Sequence, residues 1–342
     1  TKLICVAGVW FGLHQKNLAS QPIPIVKIES MSGTDQSKFE EHDYFLDVIQ
    51  EDALWDHFVD ESSQGSVFSS SAYLSSLAAS YSRYQLKNRQ GDSLAAATIF
   101  EENGAMHRAP FPFTPHQGIL FSEKLNSLPS HRQVAKKMEI TEFLINQLIA
   151  RYGNFHMSLS PAFEDLRPFA WHNFHSAAAP RFAIVPRYTA RLDLHDFDLS
   201  SYLSSIRSVR RQEYQKSTAV ISETADIETF IAIYVKNFER QNIAIDENTL
   251  QRLRCIIRTS LSGGFGRLCV AKVDGHPASM TLFVHDSRCA WYLLGANDPE
   301  WRKSAASTLL MIENIRHYAE KGIPSLDFVG VNSPQRGDYK LS

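Results

Sequence analysis

The sequence predicts an α+β protein with mixed sheets, built as two similar domains in tandem. Residues 84–161 and 268–333 follow one pattern: a strand, a Gly turn, an apolar strand, a third strand, a helix ending near Gly, and a buried strand. In the first copy Tyr84-Gln85-Leu86-Lys87 leads to Gly91 and Ala95-Ala96-Ala97-Thr98-Ile99-Phe100. In the second, Leu268-Cys269-Val270-Ala271 leads to Gly275 and Ala278-Ser279-Met280-Thr281-Leu282-Phe283. Helical patterns precede the strands of each copy, and 342 residues allow two domains that each bury a core. A cleft between similar domains is the first place to expect a ligand.

Residues 1–43 read as a leader or peripheral segment. The apolar run 3–13 is too short to span a bilayer, and Met31 opens a polar stretch that reads like an ordinary protein start. The first domain is expected over 44–195. It opens with Phe45, Val48, Ile49, Leu54, Trp55 and Phe58 at helical spacing, then Tyr73, Leu74 and Leu77. Strands reach to residue 121, interrupted by Pro110-Phe111-Pro112-Phe113-Thr114-Pro115-His116-Gln117-Gly118. Three prolines forbid a central strand there, leaving a stiff aromatic loop that is either a packed crossing or a cleft wall. A helix over 134–151 turns Ile140, Phe143, Leu144 and Leu148 inward, and strands 155–159 and 187–194 close the domain.

The second domain, 196–342, begins with a basic helix over 200–216, followed by helical patterns at 230–238 and 249–261. After its strands comes a helix over 305–320 with Leu309, Ile312, Ile315 and Ala319 on one stripe, then a strand at 325–329. The chain stops before any counterpart of the first copy's closing strand, so this domain is expected to be incomplete at its C-terminus. Thirty-five Lys and Arg against 37 Asp and Glu leave a net charge of −2, which argues against a surface built for duplex DNA or RNA. Cys5, Cys255, Cys269 and Cys289 lack disulfide or zinc spacing, so no metal site is indicated and a reducing, cytoplasmic setting is the simplest reading.

Three strands, a helix and a strand, preceded by helices, is the order of the acyl-CoA N-acyltransferase (GNAT) fold. The sharper likeness is in particular residues. Ala290-Trp291-Tyr292-Leu293-Leu294-Gly295-Ala296, the helix end Lys321-Gly322, Leu326-Asp327-Phe328-Val329-Gly330, Asn332-Ser333-Pro334 and the pair Tyr339-Lys340 resemble the FemABX-type peptidyltransferases, a tandem-domain branch of that superfamily. Trp55, Phe68-Ser69-Ser70, Gln117-Gly118 and Arg187-Tyr188-Thr189 extend the resemblance over about residues 44–342.

The resemblance implies transfer of an aminoacyl or acyl group to an amine of a cell-envelope or polysaccharide precursor. Lys340, beside Tyr339, would answer the oxyanion, and Asp327 would be either a buried base or a strand-end acceptor. Arg207, Arg210, Arg211 and Tyr214 on one basic helix would grip a nucleotide-sugar diphosphate, with His116 and Tyr292 as weaker acceptor contacts. The donor stays open between aminoacyl-tRNA and acyl-CoA. Superfamily members that take CoA hold its diphosphate in a Gly-rich turn at a helix start, whereas Arg302-Lys303-Ser304-Ala305-Ala306-Ser307 keeps the leading Arg302 but has Ala305 and Ser307 where glycines or Ala would stand; Arg302 and Ser304 are the candidate donor contacts. No tightly bound cofactor is expected. The alternatives are a CoA-dependent acetyl- or acyltransferase acting on an amino sugar or amino acid, and a non-catalytic binding protein that kept the fold.

Overall fold

The computed structural model describes residues 3–13, 44–153, 155–176 and 178–342. The first half forms a five-stranded sheet from β2 (Tyr44–Val48), β3 (Ser80–Asn88), β4 (Ser93–Glu102), β5 (Ala105–Met106) and β6 (Ile119–Phe121), β1 being the stretch Leu3–Leu13. Helices α1 (Asp52–Glu61) and α2 (Ser71–Ser76) precede β3. The long helix α3 (Ser130–Tyr152) buries Ile140, Phe143, Leu144, Ile145 and Leu148 against this sheet and ends at Gly153, whose φ of +72° suits glycine. It leads into β7 (His156–Ser158), α4 (Arg167–Ala170) and β8 (Phe182–Asp193).

The second half supplies α5 (Leu199–Ser205), α6 (Ser208–Lys216), β9 (Val220–Glu223), α7 (Ile227–Glu239), α8 (Glu247–Ser262), β10 (Gly266–Val273), β11 (His276–His285), β12 (Ala290–Asn297), α9 (Ala306–Glu320), β13 (Ser325–Asp327) and α10 (Pro334–Lys340). Asp226 and Asp246 start α7 and α8 by accepting the backbone N–H of Thr229 at 3.0 Å and Thr249 at 2.8 Å. Such caps are each worth about 1 kcal/mol. The sheet runs in the order β7-β1-β8-β13-β12-β11-β10-β9, with β12 and β13 parallel and the other pairs antiparallel.

The internal repeat is visible in the ladders. Both hairpins carry a bulge just inside their second strand, with Leu94 unpaired in β4 and Ala278 in β11. The two halves also share a core in which Trp55, Phe68 and Tyr73 lie in one cluster with Phe230, Leu253 and Trp291. Arg288 donates to the carbonyls of Ser62 and Gly65, both at 2.8 Å, and Arg252 donates to that of Leu77 at 2.8 Å, so polar contacts bind the same seam.

Four elements differ from expectation. Residues 44–48 are a strand, because Tyr44 and Leu46 alternate inward while Phe45 and Val48, assigned to a helix face, are 42% and 43% exposed. Leu3–Leu13, expected as a leader or peripheral segment, pairs with β7 and β8. Strand β8, expected to close the first domain, runs antiparallel to β13 of the second half. The basic helix over 200–216 is two helices broken at Ile206 and Arg207, where Ser204 and Ser205 turn their hydroxyls back onto the carbonyls of Ser201 and Tyr202. Among the described residues no helix is long and apolar enough to cross a membrane, and no group of three His, Cys, Asp or Glu side chains could hold a metal ion.

Candidate active site

A cleft of about 940 Å³ lies where the first-half loop 110–115 faces α7, β12, the start of α9, the turn after β13, and α10. The loop is fixed from beneath. Phe111 is buried and stacks on Phe100 with ring centroids 4.0 Å apart, and the Arg252 guanidinium sits 4.8 Å over its ring. The buried phenol of Tyr73 donates to the carbonyl of Phe113 at 2.5 Å and holds that residue at a φ of +62°. Ser158 ties down the carbonyl of Pro115.

The floor is β12, whose pairing with β11 slips at Leu293: Leu282 faces Leu294, but Phe283 faces Tyr292. A bulge leaves one residue out of the ladder and bends the strand, so Leu293 and Leu294 reach the cleft from an interrupted edge. At the far end of β12 the chain turns through 299–304. Asp298 anchors that turn by accepting the Glu300 N–H and the Lys236 ammonium, both at 3.0 Å. Ala305 then enters α9 at φ +57°, ψ +14°, a left-handed conformation that favours glycine. Residues 305–308 line the cleft with the amide-rich start of α9, the end of a helix that favours anions.

The polar groups converge on α10. The Tyr339 hydroxyl donates to the Ser307 carbonyl at 3.2 Å, and burial raises its pKa. Arg210 lies 4.8 Å over the Tyr339 ring and donates to Glu213 at 2.9 Å, while Thr308 donates to the same carboxylate oxygen at 2.6 Å. The Lys340 ammonium donates to the carbonyls of Phe328 at 2.6 Å, Val329 and Gly330 at 3.3 Å, and sits 5.2 Å from the Tyr292 ring centroid. The lining carries Arg210, Arg240, Arg302 and Lys340 against Glu213 and Asp338, giving the cleft a cationic bias.

Of the residues singled out from the sequence, Lys340, Tyr339, Arg210, Tyr292 and Arg302 line this cleft. The others stand elsewhere. Buried Asp327 accepts from the Thr189 hydroxyl and, at 2.8 Å, from the Val329 N–H. Burial raises its pKa, yet its place is under the 328–330 turn, with its contacts on β8 and on that turn. The three arginines of the N-cap and first turn of α6 take different partners. Arg207 pairs with Asp338 at 2.6 Å and borders a second, more open recess beside Arg187 and Tyr188, and Arg211 donates to the Leu203 carbonyl. Tyr214 donates to Glu313 at 2.8 Å on the outer side of α9, with its phenol pushed up to about 12 by burial and by that carboxylate. His116 packs edge-on against Phe68, and burial together with nearby Arg191 pushes its pKa down to about 4. Ser304 caps the turn by donating to the Trp301 carbonyl at 2.6 Å.

Sequence reasoning passed over Glu213, Thr308, Asn237 and Gln241, which also line the cleft. Glu213 sits three residues after Arg210, a spacing at which helix neighbours pair, so that signal was present. Thr308 carries none, since only the approach of α6 to α9 gives it a partner.

Residues 200–341 match the acetyltransferase (GNAT) domain family. No curated protein sequence matches the chain closely enough to count as a relative. Among solved structures, FemX superposes with a TM-score of 0.60 at 10% identity, covering 86% of this chain and 92% of that one. A tandem GNAT protein from the clavulanic acid biosynthesis pathway gives 0.46 at 13% identity over 87% and 93% of the two chains. The structure of L-PGS from Bacillus licheniformis gives 0.42 at 14% over 83% and 80%. The FemX likeness is close enough to define the fold, and at 10% identity it defines the fold alone.

Proposed function

We propose that this chain, a FemX-like tandem of two GNAT-fold domains, is an N-acyltransferase that takes its acyl group from a CoA thioester. The observation that carries this reading is the start of α9, which opens its backbone N–H groups onto the cleft and is entered through left-handed Ala305, as in a turn that nests an anion. Arg302 at that turn and Arg210 beside α9 add cations for a phosphate-bearing donor. From the turn, the donor's arm runs along β12 towards Leu293, which brings the thioester near Tyr292, Tyr339 and Lys340.

There the acceptor's neutral amine attacks the thioester carbonyl. A C–N bond forms, the C–S bond breaks, and the CoA thiolate leaves and takes up a proton. Tyr339, whose phenol is protonated at neutral pH, supplies that proton and regains one from the amine through solvent. The Lys340 charge lowers the energy of the oxyanion, and its three carbonyl contacts fix the turn that forms the cleft wall. The acceptor on this reading is a small amine, an amino sugar or amino acid of an envelope or polysaccharide precursor.

Titration calorimetry with CoA, acetyl-CoA and an aminoacyl-tRNA tests the donor. Binding of CoA and its thioesters is expected. Thiol release in the presence of glucosamine or free amino acids then tests the transfer. Binding of the aminoacyl-tRNA alone would overturn the donor assignment, and binding of no donor would leave a non-catalytic protein.

A further inference from the structure

We infer that the acyl group carried is larger than acetyl, and that it is housed between α7 and the first-half loop. Around the bulge the cleft is walled by Phe113, Tyr234, Phe238, Leu293, Leu294 and Val329, which belong to one hydrophobic cluster. The Tyr234 and Phe238 rings lie 4.9 Å apart on successive turns of α7. Phe113 stands opposite in an anchored loop.

Charge complementarity sets the direction of the occupant. The cationic turn at Arg302 and the start of α9 take the phosphates, so the thioester end points away from them towards this apolar compartment. An acetyl group is a single methyl and leaves such a wall wet, whereas four to eight carbons, or a phenyl ring, cover it. Each methylene taken from water onto an apolar wall raises affinity about fourfold. The reaction is unchanged: the amine nitrogen gains the acyl carbon, the C–S bond breaks, and the CoA thiol leaves with a proton.

The inference rests on the donor reading above, and the two fail differently. Affinities of the purified chain for CoA, acetyl-, butyryl-, hexanoyl-, octanoyl- and benzoyl-CoA are measured by calorimetry below their micellar range. Hexanoyl-CoA is expected to bind at least about tenfold tighter than acetyl-CoA. Phe238→Ala is expected to cut that ratio at least about fivefold, with Phe238→Leu retaining more of it. Equal affinities for acetyl- and hexanoyl-CoA would overturn the acyl compartment while leaving the donor intact. No binding of CoA or any thioester would overturn both.

Discussion

The third strand of each half is interrupted opposite the same stretch of its neighbour. When the hairpins are aligned on their shared bulges at Leu94 and Ala278, residues 98–100 of β4 fall on 282–284 of β11. In the second half the interruption opposite that stretch is Leu293 alone. In the first half it is the whole of 107–118, which parts β5 from β6 along the edge of β4. One break opens a slot in a strand, and the other grows into the roof over that slot. The long helices diverge in parallel, since α9 is entered through a left-handed residue whereas α3 starts from Pro129 at φ −53°, ψ 141°. The same break in the ladder thus lies at the floor of the cleft in one copy and lengthens into its roof in the other.

The sharpest way to break this contrast is to loosen the roof. Phe111→Ala removes a buried ring stacked on Phe100 and is expected to cost about 3–5 kcal/mol, read by denaturant unfolding. A loss below about 1 kcal/mol would mean that the loop is not packed as described. Chemistry, by contrast, should sit in the second half. Tyr339→Phe is expected to lower kcat about 100-fold with little change in the KM for the donor, and an unchanged kcat would remove the phenol from the proton path.

Smaller effects refine the picture. Tyr73→Phe leaves the Phe113 carbonyl without its phenol, at a cost of about 1 kcal/mol in unfolding free energy, and should raise the KM for the donor as the roof loosens. Ala305→Gly removes left-handed strain of about 1–2 kcal/mol, of which glycine's freer unfolded chain gives back part. A net gain of up to about 1 kcal/mol with donor affinity retained would support the turn, and loss of donor affinity would count against it. His116 has its folded pKa depressed from the usual histidine value to about 4, so the fold binds fewer protons than the unfolded chain. Its contribution is complete above pH 6.5 and is lost as pH falls from there towards 4. His116→Gln should flatten the stability profile in that window, and a profile identical to the parent's would exclude the ring.

The repeat, the long helices and the proline loop were legible because each has a local signature in periodicity or ring-locked φ. What stayed hidden depends on partners far along the chain. Asp327 reads as buried from its apolar neighbours, but its hydroxyl partner Thr189 arrives only through the β8–β13 pairing, which ties one half's end to the other's. The break at Ile206 lacks any Pro or Gly to announce it, and the arginines after it part through their own partners, Asp338, Glu213 and the Leu203 carbonyl. The turn at Ala305 misleads in the other direction. Ala305 and Ser307 weaken the motif, while the turn held by Asp298 and Ser304 still enters α9 through a left-handed residue.

The seam between the halves has a consequence for inheritance. Trp55, Phe68 and Tyr73 belong to the same apolar cluster as Phe230, Leu253 and Trp291, and the segment 200–341 that matches the acetyltransferase domain carries only the second set. Excised, that segment would show its side of the cluster to water and lose the hydrogen-bond acceptors of Arg252 and Arg288. A substitution accepted in α2 therefore changes which substitutions α8 can accept. The two halves are not interchangeable cassettes, because each completes the other's apolar core and seam hydrogen bonds.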